Sequence, residues 1–124
     1  MAITRMILLA PLALAACGPN VPGESAESSA TAINAMLPDD LGAGAIITTA
    51  SSDGNLLILN VVNMLEIESP DADKVTADSV RRFACRDATY KMVTAKGIEI
   101  RFDLTGTSGR KLPSVMLDKC PQAA

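Results

Sequence analysis

The sequence predicts an α+β fold: a two-layer sandwich with helices packed on one face of a small, four-stranded, mainly antiparallel sheet. Three observations predict it. Two apolar, partly β-branched runs, residues 43–50 and 56–65, flank Ser51-Ser52-Asp53-Gly54-Asn55, and Asp-Gly between such runs is a strong hairpin signal. A stretch with helix caps and helical spacing follows, residues 69–97. A strictly alternating run, Ile98-Glu99-Ile100-Arg101-Phe102-Asp103-Leu104, then leads through a glycine-containing loop to a short apolar segment, residues 112–117.

Ahead of these elements the chain carries one early cation, Arg5, then the apolar run Met6-Ile7-Leu8-Leu9-Ala10-Pro11-Leu12-Ala13-Leu14 and small residues. That is the layout of a secretory signal. The run is far shorter than the ~20 residues a helix needs to cross a bilayer, and Pro11 interrupts it. The junction Leu14-Ala15-Ala16-Cys17 resembles the lipobox of bacterial lipoproteins. The resemblance implies cleavage before Cys17, a diacylglycerol on its sulfur and, usually, acylation of the new amine. Several acyl chains bury far more apolar surface than one, which binds a membrane only marginally, so the implied partner is a membrane held through the anchor. Gly18 follows Cys17 where an aspartate would favour inner-membrane retention. In a diderm host the resemblance therefore implies the outer membrane, with the domain facing the periplasm. The expected organisation is a cleaved signal over residues 1–16, a lipidated tether over 17–25 and one domain over 26–124.

The tether contains Gly18, Pro19, Asn20, Pro22 and Gly23, a composition that holds no helix. Ser25 can cap a first helix, on which Ala26, Ala30, Ile33 and Leu37 recur at helical spacing before Pro38 stops it. In the second strand of the hairpin both alternating sets are apolar: Leu57, Leu59, Val61 and Leu65 on one face, Leu56, Ile58, Val62 and Met64 on the other. Such a strand is covered on both faces, or covered once and completed by a partner. A partner groove is expected beside Leu56, Leu57, Ile58, Leu59, Val61, Val62 and Met64. Ser69-Pro70-Asp71 reads as an N-cap, a first-turn proline and an acid suited to the helix dipole. The helix it opens should reach Cys85, with Ala72, Val75, Val80, Phe83 and Ala84 toward the core and Lys74, Arg81 and Arg82 in water. Asp87 can cap a further short helix through Ala95, ended by Gly97; residues 90–94 as a strand are the alternative. Pro113 marks the final run as an edge strand.

Composition bounds the chemistry. With only Phe83, Phe102 and Tyr90 as aromatics, the core must be built from aliphatic side chains. Residues 18–73 carry nine carboxylates and no cation, whereas residues 74–124 carry ten Lys or Arg among five carboxylates. Two readings stay open: the halves neutralise each other across one surface, or the basic half faces phosphate headgroups, lipopolysaccharide or an acidic partner. Few aromatics stand among these cations, so nucleic acid is not an expected partner. With Cys17 assigned to the lipid, Cys85 and Cys120 form an even pair in an exported, oxidising setting, and a disulfide is expected. Absent histidine and CxxC spacing argue against a metal site or redox catalysis, and no cofactor is expected.

Serine or cysteine nucleophiles need a nearby base, usually histidine, and there is none. Of the acidic pairs available to a glycosidase, Asp39-Asp40 reads as a solvated turn after Pro38, and Glu66 with Glu68 as the exposed end of a strand. Gly42 and Gly44 precede no phosphate-loop signature. The stretch Thr105-Gly106-Thr107-Ser108-Gly109-Arg110-Lys111 reads as a polar hairpin loop, with an anion site as the alternative.

Cys85 after the central helix, Gly97 opening an alternating strand, Gly106 or Gly109 in the next loop and the final Cys120 are similar to marks of small exported α+β proteins of proteobacteria, some secretin pilotins among them. The resemblance implies the fold more than an activity. The missing catalytic set, the tether, the expected disulfide and the two-faced apolar strand point to a non-catalytic envelope lipoprotein that binds another protein as an assembly, piloting or accessory factor. The alternative is a protective inhibitor or immunity lipoprotein against a toxin or a lysozyme-like enzyme, although the aromatic, strand-rich pattern of familiar lysozyme inhibitors is missing. A small cell-wall hydrolase ranks third, disfavoured by the absent histidine.

Overall fold

Ser25 caps the first described helix: its hydroxyl accepts from the Ser28 N–H at 3.0 Å while the Ser28 hydroxyl accepts from the Ser25 N–H, a reciprocal cap. The structure, a computed structural model, describes residues 24–121; the expected signal segment, Cys17 and most of the expected tether lie outside the described residues. Helix α1 (Ala26–Asn34) buries Ala26, Ser29, Ala30 and Ile33. It leads to β1 (Asp39–Gly42), β2 (Ala45–Asp53) and β3 (Leu56–Met64). Helices α2 (Ala72–Ala84) and α3 (Ala88–Ala95) form the crossover to β4 (Glu99–Gly106), and β5 (Val115–Leu117) ends the sheet.

The sheet has five strands in the order β1-β2-β3-β4-β5, one more than expected. The additional strand is β1, at the Asp39-Asp40 expected to form a turn. A strand with two acids and a glycine has little intrinsic preference for extended pairing. It forms because the tight connection through Ala43 and Gly44, both at positive φ, folds Asp39 and Asp40 back onto Ile47 and Ile46. Three of the four pairings are antiparallel, and the central one, β3 with β4, is parallel. Parallel neighbours need a crossover of a dozen or more residues, which α2 and α3 supply.

The core lies on one face of the sheet, where Leu57, Leu59 and Val61 of β3 pair in register with Ile100, Phe102 and Leu104 of β4, all buried. Helix α1 fills this face over β2 and β3, and Tyr90 of α3 meets Phe102 edge-on with ring centroids 6.5 Å apart. Burial pushes the Tyr90 phenol up, and the neighbouring charge of Asp39, whose carboxylate stands 3.4 Å away, adds to it.

Two local expectations shift. Helix α2 starts at Ala72 with Asp71 at its N-cap, because Ser69 instead closes the preceding turn, accepting from the Asp71 N–H through its hydroxyl and from Ala72 through its carbonyl. Its buried stripe is Thr76, Val80 and Ala84, at spacing four, and Val75 lies one position off it, 42% exposed. Residues 88–95 are helical, with the Asp87 side chain accepting from the Thr89 N–H at 2.8 Å.

Candidate functional site

A partner can reach this domain through a free strand edge or through side-chain surfaces, and the edges are partly covered. Helix α2 touches both β1 and β5, so it spans the opening left by the curl of the sheet. Phe83 packs over Gly42 on the β1 side: a Cβ there would stand 3.0 Å from the ring, and φ is +132°, so both space and backbone call for glycine. On the other side Arg81 Nε donates to the Met116 carbonyl of β5 at 3.0 Å. Beyond the end of β1, Asn34 of α1 takes over the margin of β2. Its amide donates to the Ala50 carbonyl at 2.7 Å and its oxygen accepts from the Ala50 N–H at 2.9 Å. Beyond β5, β4 is met by the loop that follows it, through Leu112 N–H to the Leu104 carbonyl and Gly106 N–H to the Arg110 carbonyl. These contacts cover part of each margin and leave a shorter template for strand addition.

Of the seven residues expected to line a groove, Leu57, Leu59, Val61 and Met64 are buried in the core and cannot meet a partner without unfolding. Leu56, Ile58 and Val62 form a partly exposed stripe on the opposite face. Met64 belongs inside and Leu65 outside, 61% exposed, because Asn63 adopts φ +62° in a register shift that reverses the alternation. The Asn63 side chain donates to the Gly44 carbonyl at 3.0 Å, which holds this turn against the β1–β2 connection.

The recess that remains lies between the start of α2 and the chain that follows β4. It encloses roughly 270 Å³, with Ile67, Ala72, Ala77, Leu112 and Val115 as apolar lining. Glu66 builds one wall. Its carboxylate accepts from the Ser108 N–H at 2.7 Å and the Thr107 hydroxyl at 3.3 Å, and pairs with Arg110 Nε at 3.2 Å. Hydrogen bonds from Ser108, helped by Thr107 and the Arg110 charge, hold this carboxyl below the usual glutamate range despite some desolvation. Glu66 is thus an engaged group and not the solvated strand end expected of it. The loop does hold an anion, one supplied by its own chain. Gly106 leaves room for it, since a Cβ there would stand 2.5 Å from the Glu66 side chain. Nothing local in the sequence marked this contact, which joins residues 41 and 42 positions apart.

Cys85, at the end of α2, is bonded to Cys120, 35 residues on, which fastens the end of the chain to the helical layer. The close ion pairs are distributed unevenly between the two halves of the sequence. Lys74–Asp78, Arg81–Asp78 and Arg101–Asp103 all lie within residues 74–124, and among the described residues only Arg110–Glu66 joins the two halves. Asp53 also acts on Arg101 through its charge, so the halves meet electrostatically at two places among the described residues. Among the described residues no group of three or more Cys, Asp or Glu is placed to hold a metal ion.

The sequence matches no family model and no curated protein. The fold matches solved structures. Against the type II secretion system pilotin AspS from Vibrio cholerae the TM-score is 0.59 at 20% identity, covering 76% of this chain and 85% of that one. Against the pilotin EpsS of the Vibrio vulnificus type 2 secretion system it is 0.57 at 21% identity, covering 78% and 90%. A Pseudomonas aeruginosa protein gives 0.53 at 16% identity, covering 72% and 81%. The likeness at these identities is one of architecture: this chain is built on the fold that the two pilotins share.

Proposed function

We propose that this chain is a non-catalytic accessory factor of the cell envelope, anchored by lipid at Cys17 and acting as a pilotin does in a type II secretion system, by binding another envelope protein. The observation that carries the reading is the fold shared with two pilotins over more than three quarters of the chain. The absence of histidine from the whole sequence supports a binding role over a hydrolytic one. The lipobox supports anchoring at the outer membrane, with the domain on the periplasmic side. The eight residue steps from Cys17 to Ser25 reach no more than about 28 Å, so an anchored domain works close to the bilayer.

With its sheet margins partly covered, the domain engages its partner through side chains. The recess under α2 takes an apolar side chain of that protein, and the outward stripe of Leu56, Ile58 and Val62 is the second apolar surface it can cover. Co-purification of the type II secretion channel subunit from detergent-solubilised envelope tests this. Ala77→Arg, which fills the recess, and Ile58→Asp, which charges the stripe, should each reduce recovery. Val75→Glu, on the exposed side of the same helix, should not. Recovery that is equal for all three, from variants whose melting temperatures match the wild type, contradicts the proposal.

A further inference from the structure

The two charged halves of the sequence become two flanks of the molecule because the strands lie side by side in chain order. Helix α1 and strands β1 to β3 carry carboxylates and no cation; α3, β4 and the connections around them carry seven of the ten cations that follow residue 73, among four carboxylates. Helix α2 crosses between them. Had the sheet interleaved its strands, the same sequence would have mixed the charges; this topology leaves most of the cations on one side.

The basic flank has a concavity of its own, away from the recess under α2. An open groove of roughly 690 Å³ runs between α3 and the segment after β5, with Met92, Ala95 and Pro121 as apolar lining. Lys91 stands on one wall and Lys119 on the other, and Lys96 follows at the end of α3. All three are exposed, and none is in an ion pair among the described residues. Asp118 is the one carboxylate on the lining. Met92 is 38% exposed, a large apolar side chain left in water beside two unpaired cations. The far wall is held in place by the Cys85–Cys120 bridge, with the Thr94 hydroxyl 3.7 Å from the Cys120 sulfur.

We infer that this groove takes an acidic, partly apolar segment of a protein partner, its carboxylates meeting Lys91 and Lys119 and an apolar side chain covering Met92. The inference rests on the accessory-factor reading for the partner being a protein, and its chemistry stands on the charge and shape of the groove alone. A concave site with a cation on each wall suits a chain lying along it better than the flat sheet of headgroups a membrane presents.

The test uses the full chain purified in neutral detergent and two fluorescent synthetic dodecapeptides, one of Glu and Leu at amphipathic spacing and one with Lys in place of Glu, read by anisotropy. The Glu-Leu peptide should bind, more weakly as salt is raised, and the Lys-Leu peptide should not. Lys91→Glu with Lys119→Glu should weaken binding by about fivefold or more, as expected for two partly screened charge contacts. Lys74→Glu, outside the groove, should leave binding unchanged. Failure of the Glu-Leu peptide to bind, equal affinity for both peptides, or equal affinity of the double variant overturns the inference. So does binding confined to phosphatidylglycerol-containing vesicles. None of these outcomes depends on whether a secretion channel subunit co-purifies, so the two proposals fail separately.

Discussion

The side chain of Asn34 meets both backbone groups of Ala50, donating to its carbonyl at 2.7 Å and accepting from its N–H at 2.9 Å. One asparagine at the end of a helix thus acts as a one-residue strand along the part of β2 that extends past β1. Without it, β2 would offer an unpaired N–H and C=O as a template for another chain.

Asn34→Ala should destabilise the domain by about 1–2 kcal/mol, the worth of two partly solvated hydrogen bonds, and raise its tendency to associate. Asn34→Asp should do no better, because its carboxylate faces the Ala50 carbonyl with no proton to give. Urea titration and light scattering check both effects. An unchanged midpoint for either variant contradicts the role given to Asn34.

Gly106 and Glu66 occupy space that only one of them can fill. Gly106→Ala should therefore push Glu66 from its contacts with Ser108, Thr107 and Arg110 and lower the melting temperature by a few degrees. In a Glu66→Ala background the same change should be nearly neutral, since Gly106 does not sit at positive φ. A double-mutant cycle measures the coupling, and additive effects would contradict it.

These two contacts show where the sequence was legible and where it was not. Alternation fixed the buried face of β4, and the pairing of Cys85 with Cys120 followed once Cys17 was assigned to the expected lipid anchor. Helix α3 was readable from its Asp87 cap, though residues 90–94 also allowed a strand. Local pattern could not show β1, whose Asp39-Asp40 sequence opposes extended structure and pairs only because Ala43 and Gly44 fold it back. It could not show that Asn63 would reverse the alternation of β3, which moved Met64 inward and Leu65 outward. The acid-loop contact of Glu66 was hidden for the same reason: hydrogen bonds between distant positions leave no periodic trace.

Acid should weaken the domain in a predictable direction. Asp103 is pushed up by desolvation, but hydrogen bonds from Arg101 and Ser114 and the charges of Arg101 and Lys111 outweigh this and hold it below its ordinary value. Glu66 is lowered as well, by Ser108 first. Carboxyls lowered in the folded state stabilise it fully above their unfolded-state values, near pH 4 to 4.5, and the contribution is lost as pH falls through the folded values. With no histidine, the melting temperature should be nearly flat between pH 5 and 8 and fall below that. Glu66→Gln should make the acid-side fall shallower; an identical slope would show that Glu66 does not contribute.

Closing a 35-residue loop through Cys85 and Cys120 should be worth about 3–4 kcal/mol. Cys85→Ser should lose stability on that scale in urea, and the groove between α3 and Cys120 should lose its fixed wall. Measured hydrogen exchange at the amides of residues 115–121 should rise in the variant, and protection equal to the wild type would contradict the bridge's role.

The most direct test of the account is the amount of type II secretion channel protein in the outer-membrane fraction of cells lacking this chain. That amount should fall on deletion, return with the wild-type gene and not return with Cys17→Ser. A channel present in full amount and in the same fraction without the chain would contradict it.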